Sequence, residues 1–196
     1  MDRFWRSGYC GTSLDDLCAA TGLSRSSLYA AFGDKHVLYL TALDLYWQLA
    51  MSAMREALAD PRQSMGEALM RIYDGQLSLY FSKEGLPRGC FGAASATTEA
   101  VDDPEIGKSL AKGFRSLDAG FEALFEMARD RGELNPADDP AALAMLASAT
   151  LNSIAVRARA GVPRAVLREI ARGTVSVICG RLASTPVAAG RFGAQI

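Results

Sequence analysis

The sequence predicts an all-α protein of about nine helices: an N-terminal three-helix unit with a helix-turn-helix, then a larger helical unit. Three observations predict it. Apolar residues recur at threes and fours along nearly the whole chain. Alternating β-branched runs bounded by Asn-Gly or Asp-Gly, which would mark hairpins, are absent. Helix starts recur as a capping Ser, Thr or Asp or as Asp-Asp-Pro, and helix stops as glycine.

Taken in order, residues 1–7 read as the end of a helix, with Phe4 inward and Gly8 as its stop. The next helix starts at Thr12-Ser13, with Asp15 or Asp16 as the capping-box acid, and shows an apolar stripe of Leu14, Leu17 and Ala20 or Thr21. Gly22 ends it. Ser24 caps a short helix over 25–32 with Leu28 and Phe32 inward, stopped by Gly33. Asp34 caps a long helix over 35–58, with Leu38, Leu45, Leu49 and Met54 among its apolar positions. Asp60-Pro61 breaks the pattern, a helix follows over 64–82, and 84–90 is a loop leading to a short helix over 91–100. Asp102-Asp103-Pro104 opens the cleanest amphipathic helix, with Ile106, Leu110, Phe114, Leu117, Phe121, Leu124, Phe125 and Ala128 at threes and fours. Asp138-Asp139-Pro140 opens a helix to about 160, and Gly161-Val162-Pro163 opens the last, to about 183. Residues 184–196 have no periodicity and read as a disordered tail.

The segment from Thr12 to Phe32 fits a helix-turn-helix: an eight-residue helix, a turn holding Gly22, and a second short helix. Leu14, Leu17, Leu23, Leu28 and Phe32 would lock the helices together and free the outer face of the second for the major groove. Arg25, Ser26 and Tyr29 stand on that face. Arg25 can read guanine with two hydrogen bonds, and Tyr29 can reach a phosphate or a thymine methyl. Thr12 can offer a hydroxyl to phosphate, and Ser24 and Lys35 lie at helix starts, where backbone N–H groups favour an anion.

The formal net charge of −1 excludes a histone-like coating protein but not a binder with a few placed donors. Arg3, Arg6, Arg25 and Lys35 face Asp2, Asp15, Asp16, Asp34 and Asp44 within the first 50 residues, so binding must rest on geometry. No run of about 18 apolar residues lacks charge, so no membrane span is expected, and the first residues have no apolar signal region, so a cytoplasmic protein is expected. Cys10, Cys18, Cys90 and Cys179 fit no zinc spacing and read as reduced thiols; no metal and no cofactor are expected. Cys90, at a loop-to-helix junction, is a candidate for a lowered thiol pKa and redox sensing. His36, the single histidine, reads as a surface residue.

The run GYCGTSLDDLCAATGLSRSSLYAAFGDKHVLYLTAL resembles the DNA-binding domain of the TetR family of regulators. Gly8-Tyr9, Thr12-Ser13, Ala20-Thr21-Gly22-Leu23-Ser24, Leu28-Tyr29, Phe32, Lys35 and Leu38 carry the resemblance. A Gly-Cys-Phe after a loop, a DPE helix start, a GEL turn and an Arg-Ala-Gly link between two closing helices extend it more loosely. The resemblance implies a DNA-binding domain over 1–50, with Thr12, Ser24, Arg25, Ser26, Tyr29 and Lys35 as DNA contacts. It implies a ligand-binding and dimerisation domain over 51–183 and a homodimer formed by the last two long helices. Family members have a full first helix. This chain begins inside it, so either residues stand upstream or the true start lies elsewhere.

An effector pocket needs apolar walls and converging polar groups. Tyr73, Gln76, Tyr80, Phe91, Thr98, Phe114, Phe121 and Asn152 are the expected ligand contacts, with Trp47, Met51 and Met54 among further walls. Arg164, Arg168 and Arg172 share one face, read as a solvated rim. No nucleophile elbow, glycine-rich phosphate loop, helical metal-ligand pair or placed histidine base points to an enzyme. The expected function is a repressor that a small molecule releases from a palindromic operator. The alternatives are a helical ligand-binding dimer without DNA binding, or an enzyme relying on carboxylates such as Glu99 or Asp102.

Overall fold

In the computed structural model, which describes residues 1–82 and 85–180, the expected helical segments follow one another in order. The described residues contain no β-strand; an isolated bridge joins Phe81 to Pro87. The expected tail over 184–196 lies outside the described residues.

Helix α1 (Asp2–Ser7) buries Phe4 and Trp5. In α2 (Leu14–Thr21) the Ser13 hydroxyl accepts from the Asp16 amide, and the Asp16 carboxylate accepts from the Ser13 amide in return. Gly22 closes α2 at φ +70°, a left-handed turn that suits glycine. Ser24 caps α3 (Arg25–Phe32) and Asp34 caps α4 (Lys35–Ala50), each accepting a backbone N–H three residues on.

The single long helix expected over 35–58 is broken at Met51 into α4 and α5 (Ser52–Ala59). Neither Pro nor Gly stands at the break, so its cause is tertiary. Helix α6 (Met65–Tyr80) crosses α5 so closely that a Cβ on Gly75 would lie 2.5 Å from the Ala53 methyl carbon. The buried Gln76 amide then donates to the Ala50 carbonyl at the broken end, 2.5 Å away. Leu45 and Leu49 face outward; the register of α4 instead buries Tyr39, Ala42, Leu43, Tyr46, Trp47 and Ala50.

A π-helical segment (Gly92–Ala96) and a single α-helical turn, α7 (Thr97–Glu99), lead to α8 (Pro104–Asp130). Asp103 caps α8 and Asp139 caps α9 (Pro140–Arg159), each with Pro in the first turn. Helix α10 (Arg164–Ile178) closes the described fold. The core runs from Phe4 and Trp5 through Tyr46 and Phe91 to Phe121, Phe125 and Leu167. Helix α8 packs along α9, and α10 packs on both α9 and α6.

Two features refine the sequence reading here. Helix α9 carries no charge from Pro140 to Val156 and is long and apolar enough to cross a membrane, although its inner residues pack against α6, α8 and α10. The α10 arginines are a solvated rim as expected, but a paired one. Arg168 pairs with Asp74 through two bonds of 2.6 and 2.8 Å, Arg164 donates to the Ser78 hydroxyl at 2.9 Å, and Arg172 pairs with Glu169. The first two tie α10 to α6.

Candidate DNA-binding face and effector cavity

Leu17 and Leu28 are buried between α2 and α3, with Leu14 and Phe32 half-buried beside them. Leu23, expected in this lock, is 41% exposed, because the turn lifts it off the core. Sequestering Leu28 leaves Arg25, Ser26 and Tyr29 on the outer face of α3, all exposed. The Ser24 oxygen caps α3 by accepting from the Ser27 amide at 3.1 Å, and lies 2.9 Å from the Ser26 hydroxyl.

Arg25 is not idle on this face. Its guanidinium grips Asp15 of α2 through contacts of 2.7–3.0 Å. Both side chains are well exposed, so solvent screens the pair, it adds little to stability and it opens readily. Lys35, on the first turn of α4, lies over the Tyr9 ring, 4.3 Å from its centroid.

Thr12 does not belong to the face. It is 1% exposed, and its hydroxyl donates to the Gly8 carbonyl at 2.7 Å, within reach of the Arg3 carbonyl at 3.4 Å. A hydroxyl that satisfies the end of α1 from inside has no route to a phosphate.

Hydrogen bonds tie the helix-turn-helix unit to the rest of the chain at several points, among them the Cys10 amide donating to Glu99, the Tyr39 hydroxyl beside Ser95 and three more. His36 Nε2 lies 2.7 Å from Asp103 Oδ2 at the start of α8. The Trp5 indole N–H donates to the Gly89 carbonyl at 3.1 Å, with the Arg88 guanidinium 4.0 Å above its ring. Arg159, at the end of α9, donates to the carbonyls of Trp5, Arg6 and Arg88. The sequence alone makes His36 a surface residue and gives neither Arg88 nor Arg159 this role, because their partners lie 67 or more residues away along the chain for His36, and 71 to 154 for Arg159.

The eight expected ligand contacts do not converge. Tyr73, Gln76, Tyr80, Phe91 and Phe121 are core residues exposed by 2% or less. The Tyr73 hydroxyl is spent on the Ala147 carbonyl at 3.0 Å, and Phe91 packs among Trp5, Tyr39 and Tyr46. Thr98 is exposed, and Asn152 shares the outward stripe of α9 with Met145 and Val156. Phe114 packs edge-on to Trp47, a cavity wall, at 5.6 Å.

The cavity beside it has a volume of about 320 Å³ and lies between α4, α5 and α8. Trp47, Met51, Arg55, Ser109 and Lys112 line it, with Asp44 at the same wall. The indole is seated flat by glycine: a Cβ on Gly113 would fall 2.0 Å from Trp47 Cε2. The Trp47 indole N–H and the Ser109 hydroxyl are both buried without a hydrogen-bond partner. Leaving such a donor unpaired costs about 1–3 kcal/mol.

Cys90 is buried, and burial pushes its thiol above the ordinary range despite the backbone N–H groups near it. The Tyr46 hydroxyl donates to its sulfur at 2.8 Å. The lowered pKa expected for Cys90 is therefore corrected: desolvation outweighs the helix start.

The comparisons agree with this architecture. The family described as "Bacterial regulatory proteins, tetR family" matches residues 1–42, and "Tetracyclin repressor-like, C-terminal domain" matches residues 66–173. The chain is 29% identical over 175 residues to the HTH-type transcriptional repressor ComR of Escherichia coli (strain K12), covering 89% of this chain and 83% of ComR. It is 33% identical over 145 residues to the HTH-type transcriptional regulator YezE of Bacillus subtilis (strain 168), covering 74% of each. Among solved structures it is similar to a cysteine mutant of the TetR family regulator CifR in complex with 26-bp operator DNA. That match has a TM-score of 0.80 at 27% identity and covers 90% of this chain and 91% of CifR. A helix-turn-helix at one end, a matching C-terminal domain over most of the rest and a shared fold with an operator-bound regulator lead to one conclusion: the chain belongs to the TetR family of transcriptional regulators.

Proposed function

We propose that the protein is a homodimeric repressor that a small-molecule effector releases from a pseudo-palindromic operator. The observation that carries this reading is the outer face of α3, where Arg25, Ser26 and Tyr29 project on a helix locked by Leu17 and Leu28. Ser24 and Lys35 flank it at two helix starts and would hold phosphates, which set register while Arg25 and Tyr29 read bases. The unit over 1–50 supplies this face and the rest of the chain supplies sensing and dimerisation, in the cytoplasm where the operator is.

The dimer reading is supported by two outward stripes. Met145, Ala149, Asn152 and Val156 line α9, and Val166, Ile170, Gly173 and Val177 line α10, at the spacing of one helix face. Met145 and Val156 are 61% and 62% exposed in the single chain, and it is their alignment in apolar stripes, rather than either exposure alone, that marks an interface. A second copy would place two α3 helices on the DNA, and each pair must sit about 34–36 Å apart to enter successive major grooves. An effector that favours another spacing weakens binding.

The test is selection of genomic fragments on the purified protein, followed by fluorescence anisotropy on the enriched sequence. A palindrome is expected. Arg25→Ala is expected to weaken binding about 5- to 100-fold, and affinity should fall steeply with salt. If no sequence is enriched, the reading fails and a helical ligand-binding dimer remains.

A further inference from the structure

We infer that the cavity between α4, α5 and α8 is a binding site for a compact organic acid, with the carboxylate received by the Trp47 indole N–H and the Ser109 hydroxyl. This deepens the regulator reading by giving the effector a site and a charge; it rests on that reading for any effect on DNA, but not for binding itself.

Two independent observations carry it. The first is the pair of orphaned donors. Buried polar groups in folded proteins are almost always paired, and here two unpaired ones belong to residues lining one cavity. Trp47 is only 8% exposed, so bulk water does not serve its N–H. An indole N–H can only donate, and a hydroxyl donates readily, so the missing partner is an acceptor.

The second is charge. Arg55 and Lys112 face the cavity against the single acid Asp44, leaving one net positive charge on its wall. That matches a monoanion and disfavours a cation. A volume of about 320 Å³ is at the low end of ligand pockets, so the acid has one small ring or a short chain.

The position suits an effector. Trp47 is on α4, whose first turn follows α3 directly, and Met51, at the α4–α5 break, lines the same cavity. An acid drawing the Trp47 N–H and the Ser109 hydroxyl together fixes α4 against α8.

The chain contains two tryptophans, so two indole N–H signals report the test in a ¹H–¹⁵N spectrum. The Trp5 N–H is already bonded to the Gly89 carbonyl and serves as the internal control. The probes are benzoate, phenylacetate and hexanoate, with benzamide as the neutral counterpart of the first. At least one acid should move the Trp47 signal saturably, with Kd near or below about 1 mM, while Trp5 stays. Benzamide should bind about tenfold more weakly. Lys112→Met and Ser109→Ala should each weaken the acid several-fold; Lys112 is exposed and the Ser109 hydroxyl has no partner to lose, so both variants keep the fold.

If none of the acids moves the Trp47 signal at about 10 mM, where a millimolar site would be filled, the inference is overturned. Benzamide binding as tightly as benzoate overturns it too. Operator anisotropy, run in parallel without acid, keeps the two questions apart. Intact operator binding with no acid binding removes the site and leaves the regulator. Acid binding with unchanged operator affinity keeps the site and removes its effector role.

Discussion

His36 on α4 and Asp103 at the cap of α8 meet at 2.7 Å, so one carboxylate both starts the longest helix and holds the DNA-binding unit. Its Oδ1 accepts from the amides of Glu105 and Ile106, and its Oδ2 faces His36. The Ile106 amide first, then the Glu105 amide and His36, hold the Asp103 carboxyl below its ordinary range. A carboxyl depressed in the folded state contributes stability in full above its unfolded pKa of about 3.9 and loses it as pH falls through the folded value. The thermal midpoint is therefore expected to drop as pH falls below about 4. Asp103→Asn keeps an acceptor for the cap but cannot titrate, so its midpoint should fall less over that range. Equal slopes for both proteins would mean that Asp103 plays no part. Asp16 and Asp60, depressed mainly by the amides of Ser13 and Arg62, add to the slope in both.

Asp15 is expected to restrain DNA binding. It holds the Arg25 guanidinium through both carboxylate oxygens and brings a negative charge to the face that meets phosphate. Asp15→Asn frees the arginine and removes the repulsion. The thermal midpoint should hardly change, because the pair is exposed and screened. Operator affinity should rise several-fold in anisotropy at low salt, with the gain shrinking as salt is added. A weaker operator complex would instead make Asp15 a positioning partner of Arg25.

Gly113→Ala tests the indole seat. Alanine in place of glycine inside a helix is ordinarily stabilising by about 1 kcal/mol. Here the added Cβ would fall 2.0–2.3 Å from three atoms of the Trp47 ring. The ring cannot retreat easily, because Gly92 packs so closely that a Cβ built there would lie 2.9 Å from Trp47 Cζ2, and Phe114 packs edge-on. Overpacking of this kind costs about 1–3 kcal/mol, which exceeds the propensity gain. A lower thermal midpoint and an altered tryptophan emission are expected; an unchanged midpoint would show that α4 gives way at little cost.

What the sequence made legible was local. The caps Ser13, Ser24, Asp34, Asp103 and Asp139 bond backbone groups two or three residues on, so spacing alone reveals them. The outer face of α3 followed from the position of Leu28. Features set by distant partners were not legible. The break at Met51 depends on Gly75 meeting Ala53, and the burial of Thr12 depends on the end of α1. The cavity shows the same limit. Tyr73 and Phe121 have the helical spacing of a pocket wall and of a core alike, and only packing assigns them to the core. Trp47 stood among the expected walls, but the missing partner of its N–H is a property of three helices together.

The stripes on α9 and α10 yield the sharpest prediction for assembly. Val156→Arg and Met145→Arg each set a charge at one end of the α9 stripe proposed as the dimer seam, and an unpaired charge at a buried interface is strongly unfavourable. Sedimentation velocity should show monomers, or a dimer weakened at least tenfold. Val101→Arg, at an 81% exposed site before α8, should leave the mass unchanged. Gly173→Ala separates seam from surface. In the single chain nothing lies within 4 Å of the added Cβ, so helix propensity alone would stabilise the protein by about 0.5–1 kcal/mol. If α10 crosses its copy at Gly173, the same methyl obstructs close packing and the dimer dissociates more readily. A Gly173→Ala protein that is more stable and fully dimeric would move the crossing point away from that glycine. A Val156→Arg, Met145→Arg double variant that remains dimeric would move the interface off these helices altogether.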